Sequence, residues 1–155
     1  MNLNPEESRS RLTNARVARL ATITPNGEPH IVPVTFAIKE STLYIAVDHK
    51  PKIHNNLQRI KNIKANPAVS VLADHYAEDW TTLWWTRADG TATITEDETP
   101  IDLLVAKYPQ YQETRPHGPV IEVQIQHWTG WSYTYSSHTD SLGSPSSARA
   151  ESTNS

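Results

Sequence analysis

The chain has 155 residues, with 14 Lys and Arg against 17 Asp and Glu and a formal net charge of -3. This length fits one domain, and the acidic balance excludes a basic protein that coats nucleic acid. The chain has no Cys, which excludes disulfide scaffolds, iron–sulfur clusters, Cys-based zinc sites and thiol nucleophiles.

The same features indicate where the protein works. The absence of cysteine suits a reducing cytoplasm. The first ten residues, MNLNPEESRS, contain no apolar signal segment, and no stretch approaches the roughly 20 apolar residues of a spanning helix. We therefore expect a soluble, cytoplasmic protein with no membrane partner and no nucleic-acid partner.

A short helix is predicted over residues 5–15. Asn4 is a good N-cap, and Pro5 fits the first helical position. Glu6 and Glu7 favour the positive end of the helix dipole.

Three β-rich segments follow, with the sequences VARLATIT, HIVPVTFAI and STLYIAVDH. Asn26 and Gly27 supply the positive φ angles of a tight hairpin turn, so the segments predict an antiparallel meander. Pro33 cannot donate a ladder hydrogen bond. Its position is therefore an edge, a bulge, or a place where another group approaches the strand.

The second half of the chain alternates helix and strand signals. After Lys52, four apolar residues recur at helical spacing until Pro67 ends the run: Ile53, Leu57, Ile60 and Ile63. AVSVLADH is a further strand. In TTLWWTRADGTATIT, Asp89 and Gly90 allow either a hairpin or one long strand with a bulge. DETPIDLLVAKYPQY predicts a helix of about three turns, and GPVIEVQIQHWTGWSYTY returns to β alternation.

About six strands with a few helices predict a mainly β, α+β fold. The strands are predominantly antiparallel, which favours a closed or nearly closed barrel with helices at its rim. The last twenty residues hold eight serines and almost nothing to bury, so burial cannot offset the entropy of ordering them. We divide the chain into a folded domain, residues 1–136, and a disordered Ser-rich tail, residues 137–155.

Several enzyme classes lack their signatures. The seven histidines include His49, His54 and His75, but these show no HxxxH or HExxH spacing, so we predict no metal site. The sequence contains no G-x-S-x-G nucleophile elbow, no P-loop and no G-x-G-x-x-G.

A basic segment at residues 50–64 contains five cations: Lys50, Lys52, Arg59, Lys61 and Lys64. A Lys-rich helix face is most often a solvated surface. Lys50 and Lys52, however, flank Pro51 where a strand gives way to a helix, and anions favour such junctions. The segment therefore predicts a phosphate or carboxylate pocket, with Arg59 in reach if the helix begins later.

Adjacent Trp84 and Trp85 must point to opposite faces of a strand. One indole then packs in the core. The other lies on the opposite surface, where a partner subunit or a flat ligand covers it. An obligate dimer is the simplest interpretation.

Three stretches resemble the pyridoxamine-phosphate-oxidase-like flavin proteins: ARLATITPNGEPHIVPVTF, LYIAVDHKPK and LQRIKNIKANPAVSVLADHYAEDWTTLWWTRADGTA. The resemblance spans about residues 5–135. The combination of VDHKPK, NIKANPAVSVLADHY and EDWTTLWW is similar to a branch that uses the deazaflavin coenzyme F420. This resemblance implies a six-stranded antiparallel split β-barrel and a homodimer, with the cofactor in a groove at the subunit interface.

The resemblance also implies a set of site residues. Arg59, Asn62, Ile63, Asn66 and Pro67 match the phosphate-holding pattern of the family, and Lys50 and Lys52 match HKPK of the branch. The implied cofactor-binding residues are Val32, Pro33, Val34, Val47, Asp48, His49, Lys50, Lys52, Arg59 and Trp84. Asp48 and His49 stand where FMN-using relatives have small hydroxyl residues, which favours F420 over the alternative cofactor FMN.

The function implied is hydride transfer between reduced F420 and an electron-poor small-molecule acceptor. The alternatives are an FMN-dependent oxidoreductase of the same fold, a protein that stores F420 without turnover, and a small dimeric barrel with no cofactor. The catalytic residues stay unassigned, because His49, His75, Tyr44 and solvent are equal candidates for the proton donor. The sequence does not identify the acceptor.

Overall fold

The computed structural model describes residues 1–47 and 54–134, without the side chains of residues 54–57. The helices are α1 (Pro5–Asn14), α2 (His54–Ala65), α3 (Ile101–Lys107) and α4 (Pro109–Glu113). The strands are β1 (Ala18–Ile23), β2 (Pro29–Val34), β3 (Ala37–Lys39), β4 (Thr42–Ala46), β5 (Ala68–His75), β6 (Trp84–Thr95) and β7 (Val120–Ser132). The predictions for Asp48, His49, Lys50, Lys52 and the tail lie outside the described residues.

The described strands form one sheet in the order β2-β1-β5-β6-β7-β4-β3. Every neighbouring pair is antiparallel, which confirms the mainly β prediction. The sheet has seven strands rather than six, because the segment HIVPVTFAI breaks at Thr35 and Phe36. The backbone N–H of Phe36 bonds the Tyr108 hydroxyl at 3.1 Å instead of a neighbouring strand, so β2 and β3 pair with different partners.

The short link between β2 and β3 requires the sheet to curl. These strands lie at opposite edges of the sheet, which in a flat seven-stranded sheet are about 29 Å apart. Val34 and Ala37 are three residues apart and therefore at most about 11 Å apart. The two edges must approach each other, so the sheet is a barrel that is split between β2 and β3.

The interior of the curled sheet is the hydrophobic core. Its fully buried members come from most of the strands and from α1: Leu12, Leu20, Phe36, Leu43, Val71 and Val123. Helix α1 packs against β6 and β7, and α2 against β1 and β6. The helices thereby cover the barrel rim, as the sequence predicted.

Local signals in the sequence are confirmed at two places, and the structure decides between the alternatives at a third. The Asn4 side chain caps α1 by accepting from the Glu7 N–H at 2.8 Å, and Gly27 turns the β1–β2 hairpin at φ +81°. The Asp89-Gly90 pair is a bulge in one long strand, since the pairing register of β6 and β7 shifts between these residues. A Cβ at Gly90 would lie 2.1 Å from the Gln124 carbonyl oxygen, so the close approach there requires glycine.

The predicted three-turn helix in DETPIDLLVAKYPQY is wrong, because two short helices replace it. Tyr108 separates α3 from α4 with an extended backbone, φ -115° and ψ 120°. The physical reason is Pro109, whose ring disfavours the helical conformation at the residue before it.

Candidate cofactor site at the barrel split

Two tyrosine hydroxyls tie α3 and α4 to the split. The Tyr108 hydroxyl accepts from the Phe36 N–H and lies 3.0 Å from the Arg16 carbonyl oxygen and 3.1 Å from that of Phe36. It donates its single proton to one of these carbonyls. The Tyr111 hydroxyl lies 2.6 Å from the Thr35 hydroxyl. The backbone N–H of Phe36 is therefore satisfied by a tyrosine side chain where strand pairing stops, and Tyr111 adds a contact between side chains.

Two cations stack on aromatic rings beside these tyrosines. The Lys107 Nζ lies 3.8 Å from the centre of the Phe36 ring, and burial, together with the nearby Arg16 charge, lowers the pKa of Lys107 to about 8. Arg16 lies over the Tyr108 ring at 5.0 Å and donates to the Lys107 carbonyl oxygen at 2.8 Å. Cation–π contacts hold both charges against this part of the split.

A third cation, Arg59, projects from α2. Its side chain is half-buried, and burial lowers the pKa of Arg59, while electrostatic interaction with Tyr111 acts in the opposite direction. Tyr111 also contacts Thr35, so this electrostatic interaction connects Arg59 with the α4 side of the split. A partly desolvated guanidinium is well suited to a phosphate or carboxylate.

A buried amide fixes α2, and with it Arg59, against the sheet. Asn62 is fully buried. It accepts from the Gln58 side-chain amide at 2.6 Å and donates to the Thr22 hydroxyl at 3.0 Å. The residue that the family pattern singled out therefore anchors the helix that presents Arg59.

The structure brings four of the predicted site residues into or against one hydrophobic cluster: Val32, Val34, Val47 and Trp84. Val34 and Val47 are each 4% exposed, and Val32 is half-buried beside them in the same hydrophobic core. The side chains of the three valines face the interior. Val32 and Val34 lie on the edge strand β2, so a ligand at the β2 edge would meet mainly their backbone. Pro33 points the other way and is exposed, opposite Arg19 in the β1–β2 register.

Trp84 and Trp85 lie on opposite faces of β6, as predicted. Trp84 packs against the hydrophobic core, with the Arg11 guanidinium 5.5 Å from its ring centre. Trp85 lies on the outer face of the sheet, where it lines a groove. The predicted site residue Trp84 is therefore the core-facing member of the pair.

The outer-face groove has a cavity volume of about 450 Å³. Apolar and aromatic side chains form most of its wall, and two arginines and one aspartate add charge: Ile31, Leu72, Tyr76, Trp85, Arg19, Arg87 and Asp74. This volume falls within the range of about 300–1,000 Å³ typical of small-molecule sites. The groove reaches the outward face of β2, which also carries Pro33.

Sequence reasoning missed the contribution of α3 and α4 to the site. Thr35 and Tyr111 are 76 positions apart, and nothing in the local pattern of either residue indicates their contact. The tyrosines in KYPQY were visible only as helix-spaced apolar positions. Tyr76, which lines the groove, has no sequence signal apart from its place after β5.

The described residues hold neither a cluster of metal ligands nor a membrane-spanning helix. No three His, Cys, Asp or Glu side chains there are arranged to hold a metal ion. No helix in the same part of the chain is long and apolar enough to cross a membrane.

A curled antiparallel sheet with a helix-covered split and a ligand-sized groove defines a split β-barrel domain. The pyridoxamine 5'-phosphate oxidase family model matches residues 5–132, and the chain belongs to this family. No curated protein sequence is significantly similar to the chain.

Solved structures share the fold at low sequence identity. A conserved hypothetical protein from Mycobacterium tuberculosis has a TM-score of 0.67 at 19% identity, over 84% of this chain and 86% of the other. An FAD-binding protein from Mesorhizobium loti has a TM-score of 0.61 at 23% identity, with 84% and 95% covered. A heme-binding protein from Mycobacterium smegmatis has a TM-score of 0.66 at 16% identity, with 84% and 55% covered. Proteins of this fold thus carry different planar ligands.

Proposed function

We propose that this protein is a cytoplasmic, homodimeric oxidoreductase that uses coenzyme F420 to reduce an electron-poor small molecule. The observation that carries the proposal is the half-buried Arg59 beside the barrel split, in a chain whose match to the family covers residues 5–132. Lys50 and Lys52 come shortly before α2, the helix that presents Arg59. The three cations would hold the anionic part of the cofactor.

The described residues fit a flat, anionic cofactor. Beside the arginine, they offer the open backbone of β2 at the edge of the sheet and the exposed ring of Pro33. Coenzyme F420 carries a phosphodiester and an oligoglutamate tail, so it needs more cations than FMN does. Val32, Val34, Val47, Asp48 and His49 would line the ring and its linker.

The proposed dimer uses the outer face of the sheet. Ile31 is 62% exposed there, and the 3₁₀ turn at residues 80–82 presents Trp80 at 68% exposure. Exposed apolar side chains of this size mark interaction surfaces. A second copy of the chain would cover this outer face and close the groove on it, which would exclude water from the groove.

The cofactor, when bound, supplies the hydride chemistry. The protein binds and orients the reactants and keeps the site dry, since a closed site strengthens each electrostatic contact within it. Arg59 fixes the anionic end, and the α3–α4 tyrosines keep the β2 edge in place through Thr35 and Phe36. Tyr44, on β4 opposite Ala37 of β3, stays a candidate proton donor together with His49 and His75.

The leading alternative is an FMN- or FAD-dependent oxidoreductase. The Mesorhizobium loti protein of the same fold is an FAD-binding protein, which favours a flavin. A second alternative, an F420 carrier without turnover, uses the same cations and needs no acceptor site.

Titration with F420 and, separately, with FMN tests the proposal through quenching of Trp fluorescence. We expect micromolar binding of F420 alone. The Lys50→Ala/Lys52→Ala variant and Arg59→Gln should each weaken it by about tenfold or more, since each removes charged hydrogen bonds. The matched control is Lys61→Ala/Lys64→Ala, which removes two exposed charges from α2, the helix that carries Arg59. Tighter binding of FMN, or equal loss in the control, would refute the F420 proposal.

A second readout separates an enzyme from a carrier. Reduced F420 is mixed with a chemical electron acceptor, and its oxidation is followed with and without the protein. An enzyme speeds the oxidation, whereas a carrier that shields the cofactor slows it.

A further inference from the structure

The outer-face groove is lined by charged side chains of both signs. Arg19 and Arg87 contribute two guanidinium groups to its lining, and Asp74 contributes one carboxylate. Asp89 pairs with Arg87 from beside the lining, so the carboxylates of Asp74 and Asp89 offset the two guanidinium charges overall. An anion would therefore gain from a guanidinium that has no carboxylate partner of its own rather than from a net charge of the groove.

The two arginines differ in their existing contacts. The Arg87 Nε lies 3.0 Å from the Asp89 carboxylate, which also accepts from the Ser70 hydroxyl at 2.6 Å. This chain of contacts holds Arg87 in place. No ion pair joins Arg19, which is exposed, to another described residue. Arg87 is thus the fixed cation and Arg19 the available one.

The rest of the groove is shaped for a flat, apolar body. Trp85 and Tyr76 add aromatic surface, and Leu72, Ala21 and Ile31 add aliphatic surface. Tyr76 is 71% exposed although it lines the groove, so much of its ring is open to a ligand or a partner. Aromatic rings bind one another in offset or edge-to-face arrangements.

We propose that this groove binds a planar aromatic carboxylate, with its rings against Trp85 and Tyr76 and its carboxylate at Arg19 and Arg87. The inference rests on the proposed function only in treating this molecule as the hydride acceptor. The binding site itself depends on residues outside the proposed F420 set. The groove adjoins the outward face of β2, so a ligand here lies beside the edge proposed for the cofactor.

The test uses 2-naphthoate and its neutral analogue 2-naphthamide, without F420. Each is titrated into uniformly ¹⁵N-labelled full-length protein, and the amide shifts of β1, β2, β5 and β6 are followed. We expect naphthoate to shift the amides around the groove and to bind at least fivefold more tightly than naphthamide. Arg19→Gln should weaken naphthoate about tenfold and leave naphthamide unchanged. Arg115→Gln, which removes an exposed arginine paired with Asp102, is the matched control and should change neither affinity.

Three outcomes would overturn the proposal. Equal affinity for the acid and the amide removes the role of the arginines. Equal weakening of both compounds by Arg19→Gln indicates a structural effect of the substitution. Competitive displacement of naphthoate by F420 assigns the groove to the cofactor. Failure of F420 to bind at all would refute the proposed function and would leave the naphthoate result standing.

Discussion

The hydroxyl of Tyr108 is the group whose removal tests the structure of the split most directly. In Tyr108→Phe, the fully buried Phe36 loses the acceptor for its N–H at 3.1 Å. One of two nearby carbonyls, of Arg16 or Phe36, loses its donor as well. A buried group left unsatisfied costs about 1–3 kcal/mol. We expect a loss of about 2 kcal/mol in the free energy of unfolding.

Urea unfolding measures this loss, with an m-value of about 2 kcal/mol/M for a domain of this size. The midpoint should therefore fall by about 1 M. Tyr133→Phe is the matched control, because its ring is half-exposed and the substitution has the same chemistry. Tyr111→Phe, which removes the partly buried contact with Thr35, should fall between the two. Equal midpoints for the Tyr108 and Tyr133 variants would show that the hydroxyl does not hold the split together.

Two further predictions concern the bulge and the buried amine. Gly90→Ala should destabilise the protein by several kcal/mol or prevent folding, because the new Cβ would overlap the Gln124 carbonyl. Gly27→Ala is the control: its Cβ has open space, so it should cost only about 1 kcal/mol for the positive φ. A larger loss of stability in Gly27→Ala than in Gly90→Ala would contradict the pairing register of β6 and β7. Between pH 8 and 10.5 the unfolded chain binds more protons than the folded chain at Lys107, whose folded pKa is about 8; stability from this group therefore rises with pH. Urea unfolding at pH 7 and pH 10 should show wild type gaining stability relative to Lys107→Met, and a relative loss would refute the depressed pKa.

Local chemistry explains which elements could be predicted from the sequence. Asn4, Gly27 and Gly90 act through their own backbone or their immediate neighbours, so their patterns predicted a cap at Asn4, a hairpin at Gly27, and either a hairpin or a bulge at Gly90. The break at Tyr108 was missed, although Pro109, which causes it, is a local signal. The alternation of Trp84 and Trp85 predicted opposite faces, but not which indole lies inside. That choice depends on how β6 pairs with β7 and packs under α1, which are contacts between distant parts of the chain.

The candidate site was harder to predict because its parts come from separate elements. Arg59 was found through its place in a basic segment. Its neighbour Tyr111 comes from α4, and the hydroxyl partner Thr35 comes from the β2–β3 link. Local patterns carry no information on such pairs. The break after β2 was missed for the same reason, since it depends on the hydroxyl of Tyr108 from a distant helix.

The split has a consequence for how binding and stability are coupled. If strand pairing continued through Thr35 and Phe36, from β2 into β3, it would satisfy the backbone of these two residues and close the barrel. No open edge would then remain beside Arg59. In the structure the Tyr108 hydroxyl accepts from the Phe36 N–H instead, and the Tyr111 hydroxyl contacts the Thr35 hydroxyl, so the edge stays open without leaving the Phe36 amide unpaired. If a ligand binds this edge as proposed, it stabilises the folded state by mass action. In that case a saturating ligand should restore part of the midpoint lost in Tyr108→Phe.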